Sequence, residues 1–243
     1  MKNEAYSALA KVYEFLITDK DYEAWADYVV KTLKNNVNGR IGLDLACGSG
    51  YFTRAIKRAG YQVTGVDLSE EMLAEAQALT IKEGLNIPYM RQDMSALKVF
   101  QRVDFVTIIN DGVNYLTKDR LEKTFKSIYK CLSKDGLLFF DFSTRYKLEN
   151  VIGNNMFGED SEECSYLWFN SLKEDCVHMD LSVFIKDGDK YLKREESHVQ
   201  YVHDLSDVIE ILKKCGYSSI NAQNHLGGDV TDTALRIQIT ARR

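Results

Sequence analysis

Along this chain of 243 residues, the apolar residues recur with two different spacings, one typical of helices and one typical of strands. Between residues 41 and 142, short apolar runs alternate with stretches that have helical spacing. This pattern predicts strands at about 41–45, 62–67, 87–91, 103–109 and 136–142, and helices at 50–59, 70–83 and 118–133. Because strands separated by helices of this length pair in parallel, we expect a doubly wound α/β sheet.

The C-terminal part returns to the same pattern. A helix is predicted from about Asp207 to Lys214, with Ser206 as its cap, and strands are predicted near 217–223 and 234–241. These strands complete a seven-stranded, mostly parallel sheet whose last strand is antiparallel.

The N-terminal part lies outside this alternation. Residues 4–17 place Tyr6 and Tyr13 on one helical stripe, and a second helix is predicted from about Tyr22 to Leu33. Asp19 or Asp21 is its expected cap. We expect a single domain over residues 1–243, in which residues 1–35 form a helical cover.

The stretch from 143 to 203 has a different character. Residues 145–162 are polar and rich in Gly and Asn, which predicts a surface loop. Runs with period two follow at about 164–172, 176–186 and 190–202, and short turns join them. They predict an inserted three-stranded antiparallel sheet, which forms a lid over residues 160–203.

The lid is expected to have one apolar and one polar face. The middle run places five apolar side chains on one face: Val177, Met179, Leu181, Val183 and Ile185. We expect the following side chains on the opposite face: Trp168, His178, Arg194, Glu196 and His198. On that interpretation Glu196 and His198 orient or deprotonate a substrate. The alternative is a half-exposed sheet whose polar face contacts only water.

A glycine turn follows the first predicted strand. Gly48 and Gly50 allow backbone angles that other residues avoid and leave no Cβ in the way of a ligand. Seventeen residues after Gly50, the next strand ends in Asp67, within reach of a ribose held over the turn. Thr53 occupies the place of the third glycine of the G-x-G-x-x-G dinucleotide fingerprint, which disfavours an NAD-binding oxidoreductase.

These motifs resemble those of a known family. The segment from Asp44 to Gly50 (DLACGSG) resembles the first motif of class I methyltransferases that use S-adenosylmethionine (SAM). The segments 66–69 (VDLS), 92–94 (QDM) and 104–111 (DFVTIIND) resemble their ribose-binding tip, adenine-binding turn and fourth-strand motif. Ala46 stands where many relatives carry the first glycine. The resemblance implies a Rossmann-like fold, SAM as cofactor and methyl transfer as the reaction.

The resemblance also assigns residues to the cofactor. Asp67 is expected to accept the ribose hydroxyls, Asp93 with the Met94 amide to hold the adenine, and Asn110 to lie where the methyl is presented. The cofactor-binding candidates are Tyr13, Asp44, Ala46, Gly48, Gly50, Asp67, Leu68, Met72, Asp93, Met94 and Asn110. The catalytic candidates are Asp111, Tyr115, Glu196 and His198.

Each candidate also has a plainer interpretation. Asp67 could be a helix-entry residue, Asp93 an ordinary turn residue and Asp111 part of an Asp-Gly loop. His178 and His198 could be solvated strand residues. No Cys/His cluster indicates a zinc site, and a catalytic thiol at Cys47 lacks a neighbouring base in the sequence.

Composition restricts the partners. The formal net charge of −5 argues against a general nucleic-acid binder, and no apolar run approaches the length of a membrane helix. We therefore expect a cytoplasmic protein, and the resemblance implies a SAM-dependent methyltransferase that transfers a methyl group to N or O of a small molecule. The alternatives are an RNA or protein methyltransferase and a non-catalytic SAM-binding regulatory protein. The oligomeric state is open, a homodimer included.

Overall fold

The computed structural model describes residues 20–99, 101–162 and 164–243. The helix expected over residues 4–17, with Tyr6 and Tyr13, lies outside the described residues, as does Asp19. The described α-helices are α1 (Lys20–Asn36), α2 (Tyr51–Arg58), α3 (Glu70–Lys82), α4 (Lys118–Cys131) and α5 (Leu205–Lys214). The described strands are β1 (Ile41–Leu45), β2 (Gln62–Asp67), β3 (Tyr89–Arg91), β4 (Val103–Ile108), β5 (Leu132–Ser143), β6 (Met156–Asp160), β7 (Cys164–Leu172), β8 (Cys176–Asp187), β9 (Lys190–Tyr201), β10 (Ser218–Asn224) and β11 (Arg236–Arg242). Short helical turns span Met94–Ala96, Gly112–Tyr115 and Lys147–Ile152.

The larger sheet has seven strands in the order β10-β11-β5-β4-β1-β2-β3. Strand β11 is antiparallel to both of its neighbours, and the other pairs are parallel. This confirms the predicted doubly wound, mostly parallel sheet. The strand order reverses at β1, so a crevice opens beyond the carboxyl ends of β1 and β4, where such sheets bind ligands.

Helices cover both faces of this sheet. On one face, α4 and α5 pack Leu121, Phe125 and Leu212 onto strand residues that include Ile108 and Phe140. The other face receives α1 and α2, whose packed side chains are Trp25, Val29, Leu33, Phe52 and Ile56. Successive strand residues such as Phe105 and Val106 enter opposite layers because side chains alternate along a strand. Among the described helices, none combines the length and apolar character needed to cross a bilayer.

The predicted helix caps have different outcomes. Ser69 caps α3 as expected, since its hydroxyl accepts the Met72 amide at 3.2 Å. Helix α1 already includes Asp21, so this residue is not its cap. Asp204, rather than Ser206, precedes the first turn of α5. Its carboxylate does not cap the helix, because it is ion-paired with Arg145 at 2.8 Å.

The second sheet is antiparallel, in the order β6-β7-β8-β9. It has one strand more than predicted, because Met156–Asp160 pairs with β7 in a stretch that we expected to be a loop. Every residue of β6 is exposed. The strand is therefore held by backbone hydrogen bonds to its neighbour and carries no alternation of apolar residues that would reveal it.

The register of β8 and β9 corrects the predicted faces of the lid. Met179 stands opposite His198, and Leu181 stands opposite Glu196. Directly paired residues of an antiparallel ladder share a face, so Glu196 and His198 lie with the apolar set rather than across from it. Of Glu196, His198 and His178, only His178 lies on the outer face, where it is exposed. The predicted common polar face is wrong.

The inner face of the second sheet meets the first sheet near the crevice. Val177 and Met179 pack on Leu148 of the turn Lys147–Ile152. The side-chain amide of Asn114 donates to the carbonyls of Tyr201 at 3.0 Å and Ser143 at 3.2 Å, which ties the ends of β9 and β5 together. The second sheet is therefore anchored beside the turn that follows β4.

Candidate active site

A cleft of about 200 Å³ lies at the carboxyl ends of β1, β2 and β4. Nine of the predicted site residues line it: Ala46, Gly48, Asp67, Leu68, Met72, Asp93, Met94, Asn110 and Tyr115. Strand β1 separates β2 from β4, and neighbouring strands are about 5 Å apart. The cleft therefore has an Asp67 end, formed by Asp67, Asp93 and Met94, and an Asn110 end, formed by Asn110 and Tyr115.

The glycine turn forms the floor of the cleft. Ala46, Gly48 and Gly50 all have positive φ, at 52°, 54° and 81°. A Cβ on Gly48 would meet no protein atom within 4 Å and would project into the ligand space. Gly50 does not line the cleft; a Cβ there would lie 2.5 Å from the Tyr89 hydroxyl. Gly48 thus leaves room for a ligand, whereas Gly50 leaves room for packing beneath the turn.

Asp67 is oriented by backbone amides. Gly48 N–H donates to its Oδ2 at 2.8 Å, and Ser69 N–H donates to its Oδ1 at 2.9 Å. Burial raises the pKa of this carboxyl, while the two amide donors favour its ionised form. The result is a fixed carboxylate at the cleft wall, able to accept hydroxyl groups of a ligand.

Asp44 lies beneath the turn and does not line the cleft. It accepts the hydroxyls of Thr53 at 2.5 Å and Thr107 at 2.7 Å, and burial raises its pKa to about 6. The Thr53 that breaks the dinucleotide fingerprint is thus a partner of Asp44. Cys47 lines the cleft, but burial raises its pKa well above that of a free thiol, so it remains protonated.

The turn after β3 carries Asp93 and a partner that the sequence did not reveal. Ser95 donates to Asp93 Oδ1 through its amide at 2.9 Å and its hydroxyl at 2.8 Å. Arg120 of α4 donates to Oδ2 at 2.6 Å and lines the cleft as well. Burial opposes ionisation of Asp93, but these donors outweigh it and lower its pKa. Arg120 was not predicted, because it is 27 residues from Asp93 in the chain and the spacing of apolar residues in α4 indicates only a solvated side chain at this position.

Asp111 is not in the cleft, contrary to the prediction of a catalytic role there. It is buried, and Arg236 of β11 donates to its Oδ1 at 2.6 Å and to its Oδ2 at 3.0 Å. Ser143 donates its hydroxyl to Oδ1 at 2.8 Å. Burial opposes ionisation of Asp111, yet the neighbouring Arg236 and Lys147 lower its pKa to about 2. Asp111 is a permanently ionised member of a buried ion pair.

Aromatic side chains surround the Asn110 end. Besides the predicted Tyr115, Tyr22 lines the cleft there, and the rings of Tyr51 and Phe52, which also line the cleft, contact that of Tyr22. Tyr22 interacts with the Asn110 side chain, and burial raises the pKa of its hydroxyl to about 12. The sequence placed Tyr22 at a helix start without a role, since Tyr22 is 22 residues before the first residue of the first motif, Asp44.

Glu196 and His198 form a buried pair beside the Asn110 end. Their side chains meet at 3.2 Å between His198 Nε2 and Glu196 Oε2. They do not line the cleft itself, but the His198 ring lies edge-on to that of Tyr115, with centroids 6.1 Å apart. The pair thus contacts the cleft through Tyr115.

Comparison with known proteins identifies the class. A sequence profile for a methyltransferase domain matches residues 43–136. YqeM of Bacillus subtilis strain 168, which its name describes as a methyltransferase, is 35% identical over 232 residues, with 94% of this chain and 91% of the relative covered. With the sheet topology and the glycine turn, these matches show that the chain belongs to the class I SAM-dependent methyltransferases.

Solved structures agree. The crystal structure of a SAM-dependent methyltransferase from Clostridium acetobutylicum ATCC 824 superposes with a TM-score of 0.89 at 32% identity, and 98% of each chain is covered. Streptomyces venezuelae DesVI superposes with a TM-score of 0.80 at 16% identity, also over 98% of each chain, which shows a likeness of fold alone.

SAM is therefore the cofactor and a methyl acceptor is the substrate. The residues in the cleft fit a nucleoside: the space above Gly48 is open, and the Asp67 carboxylate is preoriented toward it. SAM supplies a methyl group already activated on sulfur, so the protein chiefly aligns the reacting groups.

Proposed function

We propose that the enzyme transfers the methyl group of SAM to N or O of a small molecule bound at the Asn110 end of its cleft. Asp67 takes the ribose hydroxyls, and Asp93 and Met94 hold the adenine. The turn from Ala46 to Gly50 packs against the methionine portion. Leu68 and Met72 complete the wall of the cleft.

The observation that carries this proposal is the placement of Glu196 and His198. A carboxylate and an imidazole in contact beside Tyr115, which lines the cleft, can orient or deprotonate a polar acceptor by acting through that tyrosine. Aromatic side chains at the Asn110 end supply apolar walls, as in sites for small molecules.

Proteins of the same fold act on such acceptors. The superposed structures include the sugar N-methyltransferase KedS8 and CalS10, an amino pentose methyltransferase, with TM-scores of 0.78 and 0.77 at 18% and 15% identity. Curated relatives named ubiquinone biosynthesis O-methyltransferase match 45% of this chain at 33% identity. These names support a small acceptor at either N or O.

The proposal is tested by following S-adenosylhomocysteine release from SAM with separated acceptor pools. A low-molecular-weight pool of amino sugars and phenols is compared with bulk RNA and with a protein extract. We expect turnover only with the small molecules. Turnover with RNA or protein alone would contradict the proposal.

The acceptor end is tested by the double variant Glu196→Gln/His198→Asn. It should lose turnover with the acceptor so identified, whereas its SAM affinity stays within about twofold, less than 0.5 kcal/mol. His178→Asn is the matched control, because His178 is on the same sheet but on the exposed outer face. Full activity of the double variant would show that the pair has no role in transfer.

A further inference from the structure

Three buried charged side chains and one half-buried lysine lie together behind the Asn110 end of the cleft. Asp111, Asp141, Lys147 and Arg236 come from the turn after β4, from β5, from the turn Lys147–Ile152 and from β11. We call them the buried charge cluster. Asp141 is 0% exposed, Asp111 8% and Arg236 9%. None of these four residues lines the cleft, so the cluster has no direct part in binding.

The cluster holds an unfavourable backbone conformation. Asn110 and Asp111 both have left-handed φ angles, 70° and 65°, although neither is glycine. Two consecutive residues in this region are unfavourable unless the surroundings impose them. Asp141 does so: its Oδ2 accepts Asn110 N–H at 2.8 Å and its Oδ1 accepts Asp111 N–H at 2.9 Å.

Arg236 holds Asp141 and Asp111 in place. One guanidinium nitrogen donates to both Asp111 Oδ1 and Asp141 Oδ1, and the other donates to Asp111 Oδ2. Its guanidinium also stacks on the ring of Trp25, with Cζ 4.5 Å from the ring centroid. Trp25 lies on the same helix as Tyr22, which lines the cleft and interacts with Asn110. Arg236 therefore connects the turn that carries Asn110 with the helix that carries Tyr22.

We propose that Arg236 is a positioning residue for methyl transfer: through Asp141, Asp111 and Trp25 it fixes Asn110 and Tyr22 against the methionine portion of SAM. The inference rests on the proposed placement of the cofactor. If Arg236 only stabilised the fold, its replacement would weaken the binding of all parts of the ligand equally. If Arg236 is a positioning residue, its replacement weakens the contacts of ligand groups near Asn110 and leaves those near Asp67 unchanged.

Two ligands separate these effects. S-adenosylhomocysteine carries the amino acid portion of the cofactor, whereas 5′-methylthioadenosine keeps the nucleoside and lacks that portion. The variants are Asp141→Asn, which has nearly the same shape but offers one acceptor oxygen to two amides, and Arg236→Lys, which keeps the charge and loses the fork geometry. Dissociation constants for both ligands are measured by calorimetry below the unfolding temperature of each variant.

Asp141→Asn and Arg236→Lys should weaken S-adenosylhomocysteine at least tenfold and 5′-methylthioadenosine no more than twofold. Arg145→Met is the control, because it removes an ion pair with Asp204 and Glu149, residues that do not line the cleft. It should change neither affinity. Equal weakening of both ligands, or unchanged S-adenosylhomocysteine affinity in both cluster variants, would overturn the proposal.

Asp67→Ala distinguishes failure of the cofactor placement itself. It should weaken both ligands, since both contain the ribose. If it weakens neither, Asp67 does not hold the ribose, and the positioning role of Arg236, which rests on that placement of the cofactor, falls with it.

Discussion

The two ends of the cleft are built in different ways. At the Asp67 end, each carboxylate accepts an amide of its own turn, from Ser69 two residues after Asp67 and from Ser95 two residues after Asp93. Gly48 and Arg120, which are 19 and 27 residues away, add one donor to each. At the Asn110 end, Asp111 is held by Arg236, which is 125 residues away. The first end is built mainly from local turns, and the second depends on a contact between distant parts of the chain.

This difference has a functional meaning. On the proposed placement of SAM, the local turns hold the nucleoside contacts together as one unit. The Asn110 end, where we propose that the acceptor binds, joins β11, α1 and the second sheet. Changes in those elements can therefore alter the acceptor site without disturbing the nucleoside site.

The largest effect on binding is expected at the floor of the Asp67 end. Gly48→Val adds a β-branched side chain at φ 54° that projects into the cleft, so S-adenosylhomocysteine affinity should fall more than about a hundredfold, near 3 kcal/mol. Gly84→Val is a matched control, with φ 69°, open space around its Cβ and no part in the cleft. A crystal structure of Gly48→Val with the ligand bound in the wild-type position would refute the close approach.

The stability of the Asn110 end should depend on its long-range ion pair. Arg236→Met leaves Asp111 and Asp141 buried without their guanidinium partner, and should lower the free energy of unfolding by about 3–5 kcal/mol in urea titrations. Lys118→Met removes an exposed pair with Asp207 and should have no measurable effect. Comparable small losses in both variants would mean that the buried pair contributes little.

The ribose contact should be smaller in energy and confined to binding. Asp67→Ala should weaken SAM binding by about 1.5–3 kcal/mol, the range for hydrogen bonds to a charged group. Calorimetry and thermal unfolding of the same samples would check that the fold persists. Glu70→Ala, at an exposed position three residues later, serves as the control. Wild-type affinity in Asp67→Ala would remove the ribose assignment.

The smallest effect is a pH dependence under the glycine turn. The pKa of Asp44 is raised from 3.8 to about 6 in the folded chain, so its ionisation opposes folding above pH 6. This cost is relieved as the pH falls from above 6 toward 4. Between pH 7.5 and 5, the wild type should gain about 1 kcal/mol of stability relative to Asp44→Asn. Identical pH profiles for the two proteins would show that Asp44 titrates normally.

The fold was predictable in large part because its signals are local. The predicted strand 41–45 coincides with β1, and the predicted helix 70–83 matches α3 to within one residue at its end. Strand β6 was not predictable, since its pairing with β7 leaves every one of its residues exposed. The prediction of which side chains of β8 and β9 share a face was also wrong. The alternation of residues along each strand shows which of its own side chains lie together, but it does not reveal how the two strands are paired.

The sequence by itself determined the turns of the Asp67 end, because glycine, acid and cap residues at fixed spacings favour those turns and their own backbone amides orient Asp67 and Asp93. The contact from Arg120 to Asp93 came only with the tertiary structure. Only the tertiary structure decided the Asn110 end. Tyr22, Asp141 and Arg236 are unremarkable in their own segments and meet only when β11 inserts between β5 and β10 and α1 packs on the sheet. Ion pairs between distant segments depend on how the whole chain packs, and no local pattern of residues encodes them.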